Sequence, residues 1–225
     1  MNQLADAVRW ILDPEHLGGP DGIVQRTLEH LGYTVLTVAI AGLVAIPIGL
    51  FVGHTGRGRQ LAVLTTGAAR ALPTLGLVTL FGLLLGIGLG APVLALVILA
   101  IPSLLAGAYS GCESVPRSVI DAARAQGMSE WQILWRVEVP LGAPLLVNGI
   151  RSATLQVVAT AMLAAYIGSG GLGRYIFLGL AIKDYPQMLA GSLLVIALAI
   201  LLEGIGLLVG RAVRPQKFST EGAPS

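Results

Sequence analysis

Residues 118–140 read Ser-Val-Ile-Asp-Ala-Ala-Arg-Ala-Gln-Gly-Met-Ser-Glu-Trp-Gln-Ile-Leu-Trp-Arg-Val-Glu-Val-Pro. They form the centre of the longest polar interruption in the chain, 111–140, between two apolar runs of which the first is uncharged and the second carries only Arg151. The stretch predicts two short helices with a hinge. Pro116 suits a first helical turn, where a missing N–H costs nothing. Gly127 falls where a left-handed C-terminal cap is wanted, and Ser129 with Gln132 has the spacing of a capping box. The second helix is expected to carry Trp131, Leu134 and Trp135 on one face and to close at Pro140. Such an exposed apolar face needs a protein partner or a lipid headgroup layer to cover it.

Outward from this loop the chain is apolar. Hydrophobic residues make up 55% and charged residues only 12%, with a mean hydropathy of +0.81; soluble domains carry about twice that charge. Five runs reach the roughly 20 residues that a membrane-crossing helix needs: 31–52, 61–85, 91–110, 141–167 and 188–209. The second also reads as a short helix broken near Pro73 and then continued. The expected fold class is therefore an all-α membrane protein of five transmembrane helices. Its segments are an extracytoplasmic stretch 1–30, a membrane domain 31–210 with the cytoplasmic loop 111–140, and a tail 211–225. Residues 1–12 contain Asp6 and Arg9 and lack an apolar core, so they read as an amphipathic interfacial segment rather than a signal peptide.

Lys and Arg set the orientation. Arg57, Arg59, Arg117, Arg124, Arg136, Arg211, Arg214 and Lys217 fall on one side, against Arg9, Arg26, Arg174 and Lys183 on the other. The richer side is expected to be cytoplasmic, with the N-terminus outside and the C-terminus inside. A net charge of +2 gives no reason to expect nucleic acid as a partner. The single Cys112 excludes an internal disulfide, and His16, His30 and His54 lack metal-ligand spacing. No metal, cofactor or catalytic residue is expected.

The loop carries a resemblance. Asp121-Ala122-Ala123, three residues, Gly127, nine residues, then Val137-Glu138-Val139-Pro140 resembles the EAA loop of ABC-importer permeases, with Asp for Glu and Val for Ile and Leu. The resemblance implies that Asp121, Ala122, Ala123, Gly127, Trp131, Trp135 and Pro140 dock a cytoplasmic ATPase, and that the fold is the methionine-permease-like importer core. Two further stretches, 70–76 (Arg70 to Gly76) and 166–173 (Tyr166 to Gly173), are similar to the osmoprotectant branch, which handles glycine betaine, carnitine, choline and proline. The likeness covers about 34–211. Its implied partners are two ATP-binding subunits, a second permease (identical or related) and an external substrate-binding protein, in a bacterial inner membrane. ATP binding then pulls on the loops and rocks two permeases between states. A methionine-type or other small-solute ABC permease is the alternative. An ion-driven secondary transporter is a different class, which normally holds both repeats in one chain.

Two motifs are rejected. Residues 168–173 fit G-x-G-x-x-G but lack the preceding strand and following acid that give the pattern meaning. No Gly-Lys-Ser/Thr occurs, so the expected ATPase is a separate subunit. Within the spans, Arg70, Arg151 and Glu203 each cost about 2.5–3.5 kcal/mol at a helix centre and must face protein or water. Similar depth suggests that Glu203 pairs with Arg151, or else with Arg70; the alternative is that the arginines snorkel. Asn148, Ser152, Gln156 and Thr160 recur at i+4 on one helical face, which either lines a translocation path or bonds a neighbouring helix. Thr74 and Ser103, beside prolines, are further path candidates. Glycines 82, 86 and 90, then 206 and 210, are read as close helix contacts. Tyr166, Tyr175, Phe177 and Tyr185 are read as an interfacial belt.

Overall fold

A computed structural model describes residues 2–60, 62, 64, 67 and 71–213, and every regular element among them is helical. In chain order these are α1 (Gln3–Leu12), the single turn α2 (Pro14–Leu17), α3 (Ile23–Thr55), α4 (Thr74–Leu85), α5 (Gly90–Glu113), α6 (Arg117–Ala125), α7 (Glu130–Ile133), a π-turn (Leu134–Glu138), α8 (Val139–Ala161), a 3₁₀ turn (Met162–Ile167), α9 (Gly173–Ile182) and α10 (Tyr185–Ala212). Four stretches have the length and apolar character to cross a bilayer: Ile23–Thr55, Gly90–Glu113, Glu130–Ile167 and Tyr185–Ala212. The second expected span, 61–85, is interrupted. Residues 71–73 turn at Pro73, and the helix that follows, α4, has 12 residues. The broken reading of this span is therefore the one that the described residues follow.

Polarity along α3 runs opposite to that of a soluble helix. Its buried stripe is Arg26, His30, Thr34, Thr37, Ala41, Ala45 and Gly49, one every three or four residues, whereas Val35, Leu43, Ile48 and Phe51 face outward. From Arg26 to Gly49 small and polar residues pack inside and large aliphatics outside, as expected where lipid is as apolar as leucine and close packing drives association, while Ile23, Leu50 and Val52 are buried towards the two ends. The first span begins at Ile23, eight residues before the predicted start, because Arg26 and His30 lie on the protein side of the helix.

Helix α5 sits at the centre, with α3 on one side and α8 on the other. Two glycine seams bring these backbones together. A Cβ added at Gly49 would meet Ala108 Cβ at 2.7 Å, and one at Gly53 would meet Cys112 Cβ at 2.7 Å. Across the other seam, a Cβ on Gly107 would lie 2.7 Å from Gly149 Cα, and one on Gly142 would lie 2.4 Å from the Gly111 carbonyl oxygen. The glycines singled out from the sequence play smaller parts. Gly82 does abut Ile167 and Gly206 abuts the Arg151 stem, but a Cβ on Gly90 would meet open space. Gly86, at φ +82°, instead ends α4.

Candidate functional site: a loop-end docking surface and a charged helix pair

The loop folds as its caps dictate. Gly127 adopts φ +79°. Its N–H bonds the Arg124 carbonyl at 2.9 Å, and the Met128 N–H bonds that of Ala123 at 3.2 Å, the paired bonds of a left-handed C-cap. The Ser129–Gln132 capping box is complete, with Ser129 N–H donating to Gln132 Oε1 at 2.8 Å and Gln132 N–H to Ser129 Oγ at 3.4 Å. The chain does not stop at Pro140. It runs from α7 through the π-turn into α8, with Pro140 in the first turn of α8. A proline lacks the N–H for the preceding carbonyl and crowds it, and the wider π-turn relieves both.

Leu134 departs from the expected face, being buried against α3 and α5 residues. Trp131 and Trp135 stay outside, 69% and 47% exposed, with rings edge-on at 5.5 Å. Beside them, Val119, Ala122, Met128 and Val137 line an apolar groove of about 390 Å³. Asp121 and Ala122 are exposed, while Ala123 is buried under them. Arg124 grips Glu130 through Nε and a terminal nitrogen at 2.9 and 3.1 Å, which holds the Glu130 carboxyl below its usual range. The surface thus offers two aromatic rings, an alanine-lined groove and a fixed charge pattern, features that suit a protein partner.

Arg151 and Glu203 are brought together. Arg151 Nε lies 3.1 Å from Glu203 Oε2 across α8 and α10, an ion pair that lacks hydrogen-bond alignment. Both side chains are about one-third exposed in the single chain, at 30% and 32%, and Arg151 lines a cavity of about 590 Å³ together with Asn148. The polar stripe divides: Asn148 and Ser152 are exposed, whereas Gln156 Oε1 accepts from Ser103 Oγ on α5 at 3.2 Å and Thr160 bonds its own helix. Thr74 opens α4 and is half-buried. Arg70 lies outside the described residues.

The opposite end holds a network that sequence reading missed. Glu29 Oε2 accepts from Gly171 N–H at 2.8 Å and from Arg26 at 2.7 Å, Tyr33 Oη accepts from Gly170 N–H at 3.2 Å, and Arg26 also pairs with Asp21. The Arg26 guanidinium holds the Asp21 carboxyl below its usual range. The glycine turn 168–173 is therefore clasped by the start of α3. Tyr175 belongs to this core and not to a lipid belt. It is buried, edge-on to Trp10, and its hydroxyl donates to the Asp21 carbonyl at 2.6 Å. The i, i+3 spacing of Arg26 and Glu29 was visible in the sequence, but nothing there pointed to a glycine turn over 140 residues away.

The family described as binding-protein-dependent transport system inner membrane component matches residues 45–215. The glycine betaine/carnitine/choline transport system permease protein OpuCB of Bacillus subtilis is 30% identical over 194 residues, covering 86% of this chain and 89% of that protein. The osmoprotectant import permease protein OsmW of Salmonella typhimurium is 30% identical over 206 residues, covering 88% and 92%. A chain of the inward-facing MetNI methionine ABC transporter superposes with a TM-score of 0.75 at 22% identity, over 86% of this chain and 96% of that one, and shares its fold. The chain belongs to the family of binding-protein-dependent transport system inner-membrane components.

Proposed function

We propose that this chain is the membrane-crossing permease of an ATP-driven importer of osmoprotectants: glycine betaine, carnitine, choline or proline. The observation that carries the reading is the run of relatives, over nearly their whole length, whose names place them in osmoprotectant import. As a member of its family, the chain works with an ATPase subunit and a substrate-binding protein. The finer assembly is two ATP-binding subunits and two permeases, the second identical or related. The exposed Asn148 and Ser152 support it, since one chain leaves half of the polar stripe of α8 uncovered. Hydrolysis belongs to the partner, because the chain has no phosphate-binding Gly-Lys-Ser/Thr. Asp121, Ala122, Ala123, Gly127, Trp131, Trp135 and Pro140 form the docking surface for that ATPase. The path runs along Asn148, Arg151, Ser152, Gln156, Thr160, Ser103 and Glu203, with Arg70 and Thr74. The arginine-rich loop end is cytoplasmic, supported by Arg57, Arg59, Arg117, Arg124, Arg136 and Arg211 lying near it.

Uptake by proteoliposomes holding the permease with its ATPase and binding protein tests the substrate. Labelled glycine betaine, carnitine or choline is expected to enter with ATP, and excess methionine to leave that uptake unchanged. Methionine import without quaternary-amine import moves the chain to the methionine-type reading. Docking is tested separately. Trp131→Ala with Trp135→Ala is expected to cut co-purifying ATPase by at least about tenfold, since buried tryptophans are typical interface anchors worth about 2 kcal/mol or more. Retention of the ATPase by a well-folded double variant sinks the assignment.

A further inference from the structure

His54 ends the first span within reach of two carboxylates that belong to the docking region. Its Nδ1 lies 2.5 Å from Glu138 Oε2 in the π-turn, and its Nε2 lies 3.3 Å from Glu130 Oε2 in α7. Glu138 is almost completely enclosed, with a side chain 3% exposed, and a buried carboxylate is costly unless paired. Glu130 extends the contact. Arg124 holds it through two nitrogens and also lies 3.5 Å from Asp121. A polar chain therefore runs from α3 through His54, Glu130 and Arg124 to the Asp-Ala-Ala helix α6.

The topology gives this chain its meaning. Helix α6 follows α5 in sequence, and α7 leads into α8. A pull on the loop reaches α5 and α8 through the backbone, but α3 is joined to the loop only through space. An imidazolium is well suited to that junction, because both of its ring nitrogens carry a proton and each can donate to a carboxylate. The site opens on a cavity of about 600 Å³ lined by Arg59, Tyr109, Glu113, Arg117 and Asp121. Arg59 in turn pairs with Glu113 at the end of α5, at 2.9 Å. The carboxylates on both ring nitrogens of His54 thus come from the docking loop and its π-turn, while Glu113 is engaged elsewhere.

We infer that His54 is a positioning residue that ties the docking loop to the first span, so that loop movement carries α3 along with α5 and α8. The inference rests on the docking reading above. Its test uses the full complex of permease, ATPase and binding protein in liposomes and measures ATP hydrolysed per solute imported. His54→Ala is expected to raise that ratio about tenfold, the scale of one charge-assisted hydrogen bond, with ATPase still bound at the wild-type level. A second variant guards against poor folding: His54→Cys with Glu138→Cys in a Cys112→Ala background, assayed with and without a short bis-methanethiosulfonate, which bridges the two thiols through mixed disulfides as sulfinate leaves. Bridging is expected to restore tight coupling, and reductive release of the bridge to lose it again. An unchanged ratio in His54→Ala, or a bridge without effect, overturns the inference. Loss of the ATPase from His54→Ala also overturns it, because His54 then acts in docking rather than in transmission. Failure of the docking reading itself shows in the tryptophan variants instead.

Discussion

Gly107→Leu is expected to abolish recovery of folded permease, a larger effect than any other single substitution in the bundle. A Cβ at this position meets Gly149 Cα at 2.7 Å and the Leu145 carbonyl oxygen at 3.0 Å. Both neighbours are backbone, so no side chain can swing aside. Helix α5 is the most enclosed of the spans, and separating it from α8 undoes contacts along the whole seam. Overpacking of a well-packed core costs about 1–3 kcal/mol for a methylene or two, and leucine adds more than that. The measurement is the yield of monodisperse protein in mild detergent, beside Gly32→Ala as a control. Gly32 has nothing within 4 Å of an added Cβ, and alanine there favours the helix by about 1 kcal/mol. Equal yields for the two variants contradict the seam.

Glu203→Leu is expected to be nearly as damaging, for an electrostatic reason. It leaves the Arg151 guanidinium without its carboxylate at mid-helix depth, where a lone charge costs about 2.5–3.5 kcal/mol. Glu203→Gln keeps shape and polarity but removes the charge, so a smaller loss of expression and transport is expected from it. Arg151→Met combined with Glu203→Leu separates stability from function. If the pair serves only to satisfy itself, the double variant recovers both expression and transport, as apolar replacements of buried pairs often do. If the charges face the solute, expression returns and transport does not. Full activity in Glu203→Gln shows that the ion pair at 3.1 Å contributes nothing to either.

Much of the loop end was legible because its signals are local. Gly127, Ser129 and Gln132 each act on backbone groups within five residues, and all three took the predicted conformations. Spacing also served for Arg151 and Glu203, since equal depth in two helices narrows the choice of partner. Spacing failed where facing mattered. Glycines four apart occur in several spans, and the interval alone does not say which side of a helix packs. The seams at Gly49 and Gly53, and at Gly107 and Gly111, carry the same four-residue signal as the glycines chosen from sequence. What distinguishes them is a partner across the gap, Ala108 and Cys112 in one case and Gly149 and Gly142 in the other. Pro140 misled because the rule that proline ends a helix assumes a regular ladder, and the π-turn supplies an irregular one. His54 and Glu138, 84 residues apart, had no local sign at all.

The unbroken passage of the chain from α7 through the π-turn into α8 has a mechanical consequence. Helix α8 is continuous with the loop and meets α5 closely at two places, where Gly142 lies against Gly111 and Gly149 against Gly107. At a rise of about 1.5 Å per residue, the two contacts lie about 10 Å apart along α8. Two seats that far apart keep α8 from swinging about a single point. A push at the loop end is therefore passed along α8 as a movement of the whole helix against α5. The far end of α8 leads through the 3₁₀ turn into the clasped glycine turn 168–173, so movement that starts at the loop reaches the segment held by Glu29 and Tyr33.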